Sequence, residues 1–491
     1  MTEAPNIVVL MADQLKATAS HLYGNEFCDT PNLDHLAHQG VLFEHAYTPH
    51  PLCVPARVSF WTGQYPHTHG ARRNETWMPT DAHHAWEQFA REGYHCGLIG
   101  KNHCFEQASD LGLFDTRCTI SHSGLPPHEE TKGMDWFRPR ENIESAHETR
   151  RNMPGQSRHF EYAVTDYPLE DYSSGLIAGQ TERFLAKHQD DPFALWVSFP
   201  DPHEPYEVPQ EYAKQIPRDE IILPPWPDDE FDETAAEPNQ VLYRMLGMVD
   251  DELDDIRGVL QCYYGMVRFL DDMVGRIMAS LDELGLRDNT IVVFCSDHGD
   301  FAGEHQMTCK GGVFYDCLTR VPLIVSWPGE LPTGVRDGSM VNLVDVVPTI
   351  YQLLGWEVPR AMEGEPLPTV TDAQPRDAAF SEYGAGGPPF READLEALEE
   401  PYGYDTLIET LQWREAEGRR KMVRTREWKY VHDPDWDQHE LYNLKEDPWE
   451  SDNVVDDSHH SQVVAHLRRR LLDWSIRTED GESVPLPGDG D

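Results

Sequence analysis

Asp13-Gln14 and Asp297-His298 each follow an apolar run that reads as a buried strand, residues 7–11 and 291–295. Carboxylates at two strand ends, with an amide and an imidazole beside them, form a donor set suited to one divalent cation, which would also hold the oxygen of a nucleophile. Taken alone, each pair fits a helix cap or a tight turn; their joint occurrence points to metal. Cys53 and Arg57 form a second constellation, in Leu52-Cys53-Val54-Pro55-Ala56-Arg57. A cysteine between Pro51 and Pro55 marks the mouth of a helix, where free N–H groups and the dipole favour an anion. Arg57, one turn on, would face the same spot. Lys101 and His103 in Gly100-Lys101-Asn102-His103, His203 in Pro200-Asp201-Pro202-His203, and Lys310 complete the set. Two ammonium groups suit an anionic substrate, and two imidazoles can move protons near neutral pH.

Such residues need a scaffold that gathers strand ends. Runs at 7–11, 97–99, 194–199, 291–295 and 321–326 are continuously apolar and read as buried parallel strands. Helical patterns lie between them: 32–38, opening on Thr30-Pro31 as cap and first-turn proline, then 82–92, 175–188, the long amphipathic 256–284, and 343–354. This alternation predicts a doubly wound α/β fold. Four of the strands end in Asp13-Gln14, Lys101/His103, Asp201/His203 and Asp297-His298. Open α/β sheets bind ligands at the carboxyl ends of their strands, so one cleft would collect all four groups. Residues 224–240, opening Pro224-Pro225-Trp226-Pro227, read as an acidic surface loop. From about 375 the composition changes: 422–432 reads as a strand, 440–444 as another, and 460–475 as a helix before a Gly/Asp tail. We expect a catalytic domain over 1–372 and a C-terminal subdomain, a short antiparallel sheet with a helix, over 373–491.

The C-x-P-x-R run from Cys53 to Arg57 resembles the signature of the sulfatase family, whose cysteine is oxidised to formylglycine by a dedicated maturation enzyme. Gly100-Lys101-Asn102-His103 matches the family's G-K-x-H, with Asn102 in place of the commoner Trp, and Glu440-Leu441-Tyr442-Asn443-Leu444 with Asp447-Pro448 is similar to its C-terminal part. The resemblance covers nearly the whole chain. It implies an alkaline-phosphatase-like mixed sheet flanked by helices, with a small C-terminal α+β subdomain. It also implies roles. Formylglycine at Cys53, aligned by the metal and Arg57, would attack sulfur. Lys101 and Lys310, the latter thirteen residues after Asp297, would hold sulfate oxygens. His203 would assist the leaving group, and His103 would act as base to expel sulfate. The metal would take Asp13, Gln14, Asp297, His298 and the group at Cys53. Gln14 and His298 stand where an Asp and an Asn are common, and resemble the branch with phosphonate monoester hydrolases and choline sulfatases; either Ca²⁺ or Mn²⁺ is compatible. Asn74, 21 residues after Cys53, resembles an active-site asparagine of that branch that contacts the substrate anion. Two alternatives stay open: a phosphonate monoester or phosphodiester hydrolase with the same nucleophile, which Lys101 and His103 argue against, and a non-catalytic binder of sulfated glycans.

The chain carries 87 acidic against 40 basic residues, a net charge of −47, and only nine lysines. That excess disfavours nucleic acid and resembles proteins of salt-rich cytoplasm. No apolar run is long enough for a membrane span. The N-terminus enters a strand at once, without a basic region or cleavage site, so we expect a cytoplasmic enzyme acting on a sulfated mono- or oligosaccharide or an aryl sulfate. The nine cysteines form no C-x-x-C pair and are expected to be reduced. Screening at molar salt, where the Debye length is about 3 Å, relieves repulsion among surface carboxylates. The melting temperature, followed by circular dichroism, should therefore climb steeply from low to molar KCl; a flat profile would refute salt adaptation.

Overall fold

The computed structural model describes residues 4–121, 131–133, 162–227, 230–231, 235–247, 253–397, 417–435 and 437–479. The acidic blocks Asp228-Asp229 and Asp250-Asp251-Glu252 and the Gly/Asp tail lie outside the described residues. The main sheet contains β1 (Asn6–Asp13), β2 (Val41–Tyr47), β3 (His95–Gly100), β4 (Thr116–Thr119), β5 (Thr131–Lys132), β7 (Phe193–Pro202), β9 (Thr290–Ser296), β10 (Arg320–Val321), β11 (Leu323–Ser326) and β12 (Val335–Asn342). A separate pair is formed by β6 (Tyr162–Thr165) and β8 (Tyr206–Pro209). At the centre β1 lies parallel between β7 and β9, with Val9 beside both Trp196 and Val293. Apolar side chains on both faces explain the unbroken hydrophobic runs: Val8 and Leu10 enter one core with the long helix Leu253–Glu283, and Ile7, Val9 and Met11 enter the other, around Trp61, Trp86 and Trp196.

Three expectations need correction. The strand expected at 321–326 is two pieces, broken at Pro322, which has no N–H for a ladder. Both pieces run antiparallel to β2, and β11 runs antiparallel to β9, so this flank of the sheet is not parallel. The strand expected at 422–432 is a hairpin, β14 (Arg420–Thr425) and β15 (Trp428–His432), turning at Arg426-Glu427 without a Gly or Asn signal. With β13 (Ala378–Tyr383) and β16 (Glu440–Asn443) it makes a four-stranded antiparallel sheet, on which Leu467, Leu471 and Trp474 of helix Ser461–Arg477 pack. The stretch 224–240 is not all surface loop: Trp226 donates to the Gly303 carbonyl at 2.9 Å, and a helix, Glu237–Leu246, begins inside it.

Thr30 precedes helix α1 (Pro31–His38), but its hydroxyl does not cap it. Asp271 of the long helix does so from across the core, accepting from Leu33 N at 2.8 Å and from Asn32 N at 3.2 Å and Nδ2 at 2.8 Å. The same long helix steadies the turn after β1, where Tyr263 Oη donates to the Gln14 carbonyl at 2.7 Å. Asp271 is buried, and burial raises its carboxyl to a pKa of about 6, against the donors around it. Asp271→Ala should lower stability in urea unfolding by roughly 2–3 kcal/mol, through loss of three hydrogen bonds, one of them to the buried Leu33 N–H; an unchanged midpoint would show that water replaces them.

Candidate active site

Helix α2 (Cys53–Thr62) is buried along all ten residues, with Cys53 in its first turn. Its position is set by Arg57, which is fully buried and reaches four strands at once. Nε donates to Asp297 Oδ2 at 2.8 Å, after β9, and Nη2 to Asp13 Oδ2 at 2.9 Å, on β1. Nη1 donates to the Lys101 carbonyl at 3.1 Å, after β3, and to Ser198 Oγ at 2.7 Å, on β7. Asn74 accepts from Val54 N at 3.1 Å, so it ties down the start of the nucleophile helix. Gly100 is required where β3 ends: φ is +108°, and a Cβ would meet the Ser198 carbonyl at 1.9 Å. This is the physical content of the glycine in Gly100-Lys101-Asn102-His103. Asn102 points away, bonded to Phe105.

Cys53 Sγ lies 3.1 Å from His298 Nε2, 3.6 Å from Asp13 Oδ1 and 3.9 Å from Lys101 Nζ. Ligand atoms of Asp13, Cys53, Asp297 and His298 all fall within 4.8 Å of one another. His298 Nδ1 faces the Gly299 carbonyl at 2.9 Å, which leaves the Nε2 lone pair turned into the cluster, as a metal ligand needs. Two buried carboxylates, one imidazole and the atom at position 53 fit a divalent cation. Burial alone would raise Asp13, but the charges of Lys101, His203 and Arg57 hold its carboxyl well below the usual range. Burial, reinforced by Asp13, pushes the Cys53 thiol up to about 12, so the unmodified side chain is a neutral thiol and a poor nucleophile.

On one side of the cluster Lys101 Nζ pairs with Asp13. On the other, Lys310 Nζ lies 2.6 Å from His203 Nε2 and also donates to Gln14 Oε1. His203 Nδ1 meets the Glu204 carbonyl at 2.6 Å, so its hydrogen sits there and Nε2 is the acceptor. His103 stands edge-on to Trp77 at 5.9 Å; its Nδ1 is buried with no partner, and burial, with the charge of Lys101, holds its pKa well below the usual histidine value. Gln14, His103 and Cys309, next to Lys310, have φ of +65°, +38° and +65°. Such left-handed backbone in non-glycine residues gathers where side chains must be aimed.

A supporting layer was not visible in the sequence. Asp300 Oδ2 accepts from Gln14 Nε2 at 2.5 Å and from Tyr206 Oη at 2.8 Å, and Glu204 Oε2 accepts from Gln14 Nε2 at 2.7 Å. Glu204 also takes the Cys309 thiol at 3.1 Å. The one signal was adjacency, since Glu204 follows His203 and Asp300 follows Asp297 by three residues. His305 is buried and stacks on Tyr315 at 3.7 Å.

This ordering of strand ends around a buried cysteine, two carboxylates and an imidazole able to hold a metal defines a hydrolase of alkaline-phosphatase-like fold. The Sulfatase family model matches residues 5–356, and the model for the N-sulphoglucosamine sulphohydrolase C-terminal region matches 410–477. The chain belongs to the sulfatase family and is an enzyme of that class. The arylsulfatase of Clostridium perfringens is 25% identical over 497 residues, covering 97% of this chain and 95% of that protein. The phosphonate monoester hydrolase of Agrobacterium radiobacter superposes with a TM-score of 0.75 at 25% identity, over 96% of each chain. BT4656, solved in complex with its substrate D-glucosamine-2-N,6-O-disulfate, superposes with a TM-score of 0.71 at 21% identity, over 97% of this chain and 99% of that one. No helix among the described residues is long and apolar enough to cross a membrane.

Removing the Arg57 guanidinium would leave Asp13 and Asp297, both with 0% exposed side chains, without their shared counter-charge. Arg57→Ala should cost about 3–5 kcal/mol in urea unfolding, the usual penalty for half of a buried pair. An unaltered unfolding midpoint would mean that other groups neutralise both carboxylates.

Proposed function

We infer that this enzyme hydrolyses a sulfate monoester of a small saccharide, with the side chain at position 53 acting as formylglycine. The observation that carries this is the placement of Cys53 Sγ, 3.1 Å from a metal-competent imidazole nitrogen and 3.9 Å from a buried ammonium. A nucleophile and an anion's oxygens would meet there. A bound divalent cation, Ca²⁺ or Mn²⁺, would supply Lewis-acid charge beside position 53. Formylglycine would supply, as its hydrate, one hydroxyl to attack sulfur and a second through which sulfate leaves. Asp13, Gln14, Asp297 and His298 would hold the metal; the Gln14 amide oxygen gives one lone pair to Lys310 and keeps another.

The residues of the chain do the rest. Arg57 fixes both carboxylates, while Lys101 and Lys310 offer charge to oxygens that become more negative in the transition state. Lys310 and His203 hold a proton between them, and delivery from His203 Nε2 would neutralise the departing alkoxide. His103, kept neutral by burial, suits a base. Residues 1–372 would carry this chemistry, and 373–491 would shape the pocket for the leaving group. The acid excess would adapt the enzyme to a salt-rich cytoplasm, where a maturation enzyme converts Cys53. A second reading, phosphonate monoester hydrolysis, draws on the likeness to the Agrobacterium enzyme and on the Gln14/His298 pair. Lys101 and His103 favour sulfate.

Mass spectrometry of the Cys53 peptide from the native host should show formylglycine, and Cys53→Ala should lose at least about 10³-fold in kcat on an aryl sulfate while keeping its fold. Near-normal turnover by Cys53→Ala would overturn the nucleophile assignment. A higher kcat/KM on phenylphosphonate monoesters than on aryl sulfates would favour the second reading.

A further inference from the structure

Two of the buried guanidinium groups end on carboxylates, Arg57 on Asp13 and Asp297 and Arg424 on Asp316, while a third, Arg287, is satisfied by Gln39, the Thr290 carbonyl and Ser326. Arg72 and Arg419 differ from all three. Arg72 is half-buried, and its guanidinium makes one hydrogen bond, from Nη1 to the Gly384 carbonyl at 3.3 Å, with no ion pair among the described residues. Arg419 is exposed, and its guanidinium has no hydrogen bond or ion pair among the described residues. Both lie on one loop. A Cβ at Gly386 would come within 2.7 Å of Arg419 Nε and 3.0 Å of Nη2, so the absent side chain lets that guanidinium lie flat on the backbone. Gly384 and Gly386 are two residues apart, at most about 7 Å. Burial pulls Arg72 below the usual arginine range and the charge of Arg419 adds to this, against Glu382. The Glu382 carboxylate is already engaged by Lys421 Nζ and His67 Nδ1, each at 2.9 Å, and Asp435 takes Arg419's own backbone N–H at 2.8 Å.

Two guanidinium groups without a carboxylate partner among the described residues rest on one short loop, where together they can hold an anion. The loop borders the active site on both sides. Two residues after Arg72, Asn74 holds the start of helix α2. Tyr383, beside Gly384, stacks at 5.2 Å on His50, three residues before Cys53, and Gly312, two residues after Lys310, lies against the Tyr383 ring. The geometry points to Arg72 and Arg419 as an anion subsite for a second negative group, sulfate or carboxylate, on the leaving portion of the substrate. The enzyme would thus select doubly anionic sugars over singly charged monosulfates. The subsite rests on the sulfatase reading for its substrate, and a planar guanidinium fork matches either anion.

The test is calorimetric binding to full-length Cys53→Ala protein, with three ligands at one fixed salt concentration: glucosamine 2-N,6-O-disulfate, a monosulfated hexuronate and N-acetylglucosamine 6-sulfate. At least one doubly anionic ligand should bind about 10–100-fold more tightly than the monosulfate. Which of the two does so identifies the second anion as sulfate or carboxylate. Adding Arg72→Gln and Arg419→Gln should reduce the preference to within about threefold, and Arg419→Lys should keep part of it. Equal affinity for all three ligands, or a preference that survives the double change, would overturn the subsite. If the matured enzyme hydrolyses no sulfate ester while the binding preference persists, the sulfatase reading fails and the subsite stands.

Discussion

One guanidinium organises this molecule. Arg57 is buried and donates to groups on or just beyond β1, β3, β7 and β9. Four adjacent strands are thereby held at a common level, and the helix bearing Cys53 is fixed over them. A lysine could not serve, because one ammonium lacks the planar fork that satisfies Asp13 and Asp297 in separate directions. A pair of buried carboxylates without it would carry an uncompensated charge that protonation or unfolding would relieve. With it, both keep their other oxygens, Asp13 Oδ1 and Asp297 Oδ1, turned towards His298 at 3.8 Å each.

From that constraint the division of labour follows. The central parallel strands contribute backbone ends, and each end contributes one or two chemical groups, while the turns after them take unusual dihedrals. Behind the cluster, Asp300 and Glu204 grip Gln14, and Tyr206 and Cys309 complete the layer. Gln14 therefore cannot rotate freely; its amide nitrogen is committed to carboxylates, which fixes its oxygen towards Lys310. Orientation of that oxygen is a consequence of two acids that do not themselves face the nucleophile.

The placement of Asp13, Lys101, His203 and Asp297 was legible because each follows a run whose apolar continuity marks a strand buried on both faces. Cys53 and Arg57 were legible because their run resembles the sulfatase signature and because helix spacing puts i and i+4 on one side. What escaped was whatever depends on distant partners. Nothing local in residues 41–47, Val-Leu-Phe-Glu-His-Ala-Tyr, announces β2, since Glu44 and His45 interrupt the pattern and pairing with β10, β11 and β12 defines it. Thr30 had the right type for a cap, yet Asp271, over 200 residues away, supplies the acceptors. Strand direction was invisible too, because burial on both faces gives the same run whichever way β11 points.

The sparse lysines show how such an acidic chain builds a site. Lys16, Lys101, Lys310 and Lys429, four of nine, are buried at 9% exposure or less, and each meets a carboxylate. Surface cations have largely been exchanged for acid, while interior ones cannot be, since each neutralises a specific buried partner. Mobile ions screen the two populations differently. At high ionic strength the exterior field collapses within a few ångströms, but charges in a water-poor interior interact almost as before. Salt that screens the surface would therefore leave Lys101, Lys310 and Arg57 nearly unscreened where the proposed substrate anion would be held.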